Sequence, residues 1–383
     1  MKSVYWRPQK VAGSTTLYIG LFAIAVLAVV ELLPRFATPK FAEDKLAANQ
    51  HAQLCRYKIR EVRKSQGLKV NTLFDPTKSG LIGTAMTSLT SKPANLEAKQ
   101  LSLHPQFPSA VVQMLRDAGV RNGNTVAVGW TGSFPALNIA LSSAIESMEL
   151  NPIAVASVTA SQYGANESEL TWLDMESSLH EAGLIGFRSC ASTIGGPSDC
   201  GRGMSDESRT LAIAAMKRNG VSQIKAKHLS QSIERRMRTV NRAAKDRPIA
   251  AYINVGGGVA SSGGSDCVFQ SGLNLKIDAD EAPDCIMQRF AANGTPVIHL
   301  ARPRTLARRL HFSNEQTASM VYASTENPNR WLAASAFLIV CFVLRGVVLK
   351  DFGNRIGYAI LRRLSRKPEF RAVGQVSGPQ LMA

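Results

Sequence analysis

The chain has 383 residues, of which 45% are hydrophobic and 19% charged, and a formal net charge of +17. Those proportions are globular and exclude both a disordered chain and a polytopic transporter. The length allows one large domain or two modest ones, and the positive charge is unevenly spread.

Residues 1–14 are basic, with Lys2, Arg7 and Lys10 facing no acid. Residues 15–33 are apolar almost to Glu31, which matches the length of a membrane helix. A cleaved signal peptide is the alternative, but the apolar run is long and no small-x-small site precedes Pro34. Residues 40–66 are rich in Ala, Lys, Arg and Gln and read as a helical stalk. The stretch 67–100 reads as loops with a short helix, so 34–104 is expected to be stalk and loops. Residues 105–119 read as an amphipathic helix stopped by Gly119.

An alternation of strands and helices then begins. Strands are predicted at 125–130, 153–158, 249–255 and 296–300. Helices are predicted at 135–148, 171–182, 205–219, 229–244 and 279–292. Thr171-x-x-Asp174 fits a capping box. The pattern implies an α/β fold over 105–330: a mostly parallel sheet with helices on both faces, Rossmann-like. A second apolar run, 331–349, is broken only by Arg345 and predicts a C-terminal transmembrane helix; a buried core helix is the alternative. The tail 350–383 is basic, and disorder is expected from about 368. Basic flanks outside both runs predict cytoplasmic termini. The expected placement is therefore a bacterial inner membrane, with the lipid bilayer as a partner and 34–330 extracytoplasmic.

Cys55, Cys190, Cys200, Cys267 and Cys285 fall in that central part, where an oxidising compartment permits pairing. Cys190 with Cys200 and Cys267 with Cys285 would each close a short loop, but reduced buried thiols fit equally well. No CxxC and no paired Cys/His spacing points to zinc, and no metal or cofactor is expected. Six histidines are scattered without clustering.

In parallel sheets, ligands bind beyond the carboxyl ends of the strands, near helix N-termini. Three segments match that location. The first is Gly132-Ser133-Phe134-Pro135 with Asn138, where Ser133 caps a helix whose N–H groups attract an anion; an ordinary capped helix gives the same pattern. The second is Ser161, Gln162 and Asn166, with Trp172 and Asp174 nearby. Glu176 is two residues from Asp174, so the two carboxylates do not share a helix face and make a poor catalytic pair. The third joins Gly195, Gly196, Asp199 and Arg202 with Asn254, Gly256, Gly257 and Gly258. Glycines let a backbone approach a ligand closely. Ser261 stands where a dinucleotide fingerprint needs its last glycine, so nucleotide binding is rejected. Residues 35–330 hold 34 Lys/Arg against 25 Asp/Glu, with arginines clustered at 235–242 and 302–309. That surface suits a polyanion other than nucleic acid, although a solvated basic face reads the same.

Four segments in order, GWTGSFPALNIALSSAIESMEL, SVTASQYGANESELTWLDME, GGPSDCGRGMS and YINVGGGVASSG, resemble the poly-gamma-glutamate system proteins. The resemblance covers about residues 120–265. It implies an accessory envelope role beside the enzymes that make and export poly-γ-glutamate, and it supplies no catalytic residue. The first expectation is therefore a component that binds the polymer or its synthesis and export subunits. The alternatives are a hydrolase or transferase acting on γ-glutamyl amides, with Ser133 as nucleophile, and a scaffold for membrane subunits.

Overall fold

The computed structural model describes residues 41–275 and 282–312, together with the isolated positions Tyr18, Gly20, Leu21, Phe22, Ala25, Ser335 and Leu338. The chain divides into two units, 39–325 and the two ends combined, and the continuous described segments belong to the first.

Its elements run α1 (Ala42–Ser65), β1 (Thr90–Lys92), α2 (Leu96–Leu101), α3 (Phe107–Asp117), β2 (Thr125–Thr131), α4 (Pro135–Ser147) and β3 (Asn151–Ser157). Three short strands follow, β4 (Ala160–Ser161), β5 (Asn166–Glu167) and β6 (Leu170–Thr171), then α5 (Trp172–Glu181), β7 (Ala191–Thr193), α6 (Asp206–Arg218) and β8 (Ser222–Gln223). The remainder is α7 (Leu229–Ala244), β9 (Ile249–Val255), α8 (Val259–Ser262), β10 (Gly272–Asn274), α9 (Ile286–Ala292), β11 (Val297–Leu300) and α10 (Pro303–Arg309).

Seven strands form one sheet in the order β10-β11-β9-β2-β3-β7-β8. Every pair is parallel except the antiparallel edge pair β10–β11. Central β2 is buried along its whole length, as a parallel strand covered on both faces must be. The chain steps from β2 outward to β3, β7 and β8, then returns to β9 and β11 on the other side. The direction of winding therefore reverses between β2 and β9.

Side chains alternate between the faces with a period of two. Val126, Val128 and Trp130 of β2, with Ile253 and Val255 of β9, join a core with α1, α3, α4 and α5. Ala127, Ile153, Val155 and Tyr252 point the other way, into a second core with α7, α8 and α9. Helices therefore cover both faces.

The expected membrane architecture is corrected. No helix among the described residues is long and apolar enough to cross a membrane. The reason lies in two helices. α1 has 24 residues but is charged in its first turn and throughout its second half, and α4 is apolar but has only 13, about 20 Å against a hydrocarbon core of about 30 Å. The expected spans 15–33 and 331–349 lie outside the described residues except at isolated positions, as do both basic flanks. The described structure thus gives no support to the transmembrane helices, the inner-membrane placement or the bilayer as partner.

Nor does α1 stand off as a stalk. Ala48, Ala52, Cys55 and Ile59 form a buried stripe at helical spacing against α3 and α4. All five cysteines among the described residues are free thiols.

Candidate functional site

A cavity of about 440 Å³ opens where the winding reverses. That size suits a small organic ligand or a short piece of a larger one. Thr131 ends β2 and Ser157 ends β3, and both reach the cavity wall. Beyond β7 the turn Gly196-Pro197-Ser198-Asp199 forms another wall, and beyond β9 so do Gly257 and Gly258. Ser91 and Lys92 close over the cavity from β1. Parallel pairing of β1 with β4, Thr90 to Ala160 and Lys92 to Ser161, holds them there.

Asp199 is buried against Arg236 of α7, with Nε 2.7 Å from Oδ2. The same guanidinium donates to Ser157 Oγ and Thr193 Oγ1, both at 2.6 Å. Ser232 and Thr193 donate their hydroxyls to the carboxylate at 2.6 and 2.9 Å. A buried carboxylate so fully partnered has no capacity left for base chemistry, and its charge is neutralised in place. Ser198 and Asp199 both adopt left-handed backbone, with φ of 54° and 58°. The surrounding network holds them in that sparsely populated conformation.

Two lysines lie at this end of the sheet, Lys92 in the cavity wall and Lys99 behind Ser133. Lys92 is exposed as a residue, and its amine donates to the carbonyl of Gly257 at 3.0 Å. Partial desolvation beside the protein lowers its pKa. Lys99 of α2 is buried. It donates to the carbonyl of Ser133 and to Ser161 Oγ at 2.8 Å, and its ammonium lies 4.0 Å from the centre of the Phe134 ring. Burial, with a smaller push from Lys92, brings its pKa down to about 7. Neither lysine forms an ion pair with a described carboxylate.

Ser133 donates its N–H to Thr131 Oγ1 and accepts the N–H of Ser161 at its own Oγ, both at 3.1 Å. No described histidine or carboxylate hydrogen-bonds that hydroxyl. Lys99 engages the Ser133 carbonyl instead. His299 lies on β11, where Asn254 contacts its Nδ1 at 2.9 Å and burial drives its pKa down to about 4. It stays neutral at ordinary pH.

Of the residues singled out from sequence, Ser133, Gly196, Asp199, Gly257 and Gly258 line the cavity. Gly195 and Gly256 pack against lining residues, Ser161 donates its N–H to Ser133, and Gly132 stands between Thr131 and Ser133 in the chain. At Gly256, φ is 90° and a Cβ would sit 2.7 Å from Thr131 Oγ1, so only glycine fits. Gln162 braces β1 by accepting the Ala94 N–H at its side-chain oxygen and donating its backbone N–H to the Lys92 carbonyl. Asn138 holds the Thr131 carbonyl, and Asn254 holds that of Gly256.

The rest do not converge. Asn166 ties down the segment 84–90. Trp172 is core, edge-on to Trp130 at 5.1 Å. Asp174 caps α5 and pairs with Arg218. Arg202 is exposed, and Arg236 rather than Arg202 is the partner of Asp199. Sequence reasoning missed Ser91, Lys92, Thr131, Ser157 and Thr159. The hydroxyls at the ends of predicted strands were a readable signal for Thr131 and Ser157. Lys92 had none. Among the described residues, no cluster of His, Cys, Asp and Glu is placed to hold a metal ion. Comparison with protein-family models, curated proteins and solved structures finds no match.

Proposed function

We propose that the chain is an accessory, polymer-binding component of poly-γ-glutamate production, and that its cavity receives an acidic γ-glutamyl segment. The observation that carries this reading is the charge pattern at the strand ends. Among the described residues Lys92 presents a cation with no carboxylate partner at the cavity, while Asp199, the one carboxylate of the described lining, is neutralised by Arg236. Hydroxyls and glycine backbone make up most of the remaining wall, and they suit carboxylate and amide groups. The exposed cations Lys225, Lys227, Arg235, Arg238 and Arg242 add long-range attraction for a polyanion. The resemblance of residues 120–265 supplies the identity of the polymer.

The test is retention of the full chain on immobilised poly-γ-glutamate. Retention is expected to fall steeply with added salt and to be weakened several-fold by Lys92→Gln. Equal retention on a neutral polymer sinks the reading. The rival hydrolase reading has less support, because Ser133 Oγ has no base within hydrogen-bond reach. Polymer incubated with the chain is expected to keep its length.

A further inference from the structure

We infer that Thr159 is a second recognition group in this cavity, and that the ligand class is a carboxylate-bearing amide rather than a bare anion. The inference rests on the binding reading above and deepens it. Thr159 lines the cavity yet is 98% buried, being only 2% exposed, and its hydroxyl has no hydrogen-bond partner in the protein. Its backbone is fixed by an N–H donated to the Ile194 carbonyl at 2.9 Å. The hydroxyl sits under the Gly195-Gly196 turn, where a Cβ on Gly195 would come within 2.6 Å of it. The turn therefore has to be glycine for this hydroxyl to be there at all.

A buried hydroxyl without a partner keeps a desolvation penalty that a satisfied one recovers. Valine would fill the same volume without that cost. The other buried hydroxyls of the described lining each have a protein partner: Ser157 bonds Asp199 and Arg236, Thr131 accepts the Ser133 N–H, and Ser133 accepts the Ser161 N–H. Thr159 is the one among them with no partner at all, and so is open to a ligand. Lys92 is suited to the carboxylate, and Thr159 to a neutral group such as an amide carbonyl. The cavity is also far larger than a single inorganic anion needs.

The experiment is calorimetric titration of the full chain with a γ-linked glutamate dimer, free glutamate and inorganic phosphate, alongside thermal melting. Thr159→Val is expected to weaken dimer binding about fivefold, to leave glutamate binding unchanged and not to lower the melting temperature. Thr159→Ser is expected to keep the wild-type affinity. A purely structural threonine would instead lower the melting temperature on replacement and treat both ligands alike. Undiminished dimer binding by Thr159→Val overturns the inference. If Lys92→Gln still loses the dimer in that case, the underlying reading stands. Phosphate bound as tightly as the dimer overturns the ligand class, and failure of the wild-type chain to bind any of the three overturns both.

Discussion

Glu176 shows how much a single buried acid can carry outside the site. It has no exposed surface, and its Oε1 accepts the N–H and hydroxyl of Ser189 at 3.0 and 2.9 Å while Oε2 has no partner. Burial raises its pKa to about 7, against the opposing pull of the Ser189 hydrogen bonds and Arg188. The folded chain therefore holds a proton that the unfolded chain releases above about pH 4.5. The protonated acid is fully tolerated below that value, and stability is lost as the pH rises towards 7. Glu176→Gln mimics the neutral form. Urea unfolding at pH 8 is expected to show the variant more stable than the parent by up to about 3 kcal/mol, with the difference vanishing near pH 4.5. A difference that grows towards acid pH contradicts the account. The helical spacing already separated Glu176 from Asp174, and the structure turns one towards Ser189 and the other towards Arg218. What spacing could not reveal was that Glu176 is sealed in the core behind Ser189, whose hydroxyl also accepts the Trp130 indole N–H, since that depends on packing with β2.

At the level of elements, legibility followed length and locality. The predicted strands at 125–130, 153–158, 249–255 and 296–300 correspond to β2, β3, β9 and β11, the longer strands of the sheet. β1, β4, β7, β8 and β10 have two or three residues each and leave no periodic trace. Their pairings are non-local, as when Thr90 meets Ala160, and this is why Lys92 was hidden within a stretch read as loops. The same holds for Asp199 and Arg236, which meet from a turn and a distant helix. The capping box of α5, by contrast, is a local rule and was readable. Asp174 accepts the Thr171 N–H at 2.7 Å, and it also takes Arg218 at 2.6 Å and Asn219 at 2.7 Å. Asp174→Ala removes the cap and leaves Asn219 without that partner. It is expected to cost about 2–3 kcal/mol in denaturant unfolding while leaving polymer retention at ambient temperature unchanged. A loss of retention in the still-folded variant would place Asp174 in the binding surface, contrary to its position here.

For the whole molecule, the decisive feature is that α1 belongs to the same folded unit as the sheet. The sequence suggested a solvated stalk because lysines and arginines recur along it and its inward stripe is made largely of small residues, Ala48, Ala52 and Cys55. Small side chains give a weak hydrophobic signal but let two helices approach closely, and α1 lies against α3 and α4 on that stripe. Its ends are pinned by ion pairs: Asp44 with Arg116 of α3 at 2.6 Å, and buried Arg63 with Glu167 of β5. Arg63 also donates to the Gly80 carbonyl at 3.0 Å, so the loop leading towards β1 hangs on α1 as well. Lys92, and with it the cavity, thus depends on a helix placed well before the sheet in the chain. Ala52→Arg forces an unpaired guanidinium into that interface, and the penalty for burying it is several kcal/mol. The expected result is loss of the cooperative thermal transition or a large fall in its midpoint. Leu54→Arg, on the exposed side of the same helix, is expected to melt within about a degree of the parent. A detached stalk would make the two variants indistinguishable from each other and from the parent, so the pair of melting curves separates the two architectures without any knowledge of the ligand.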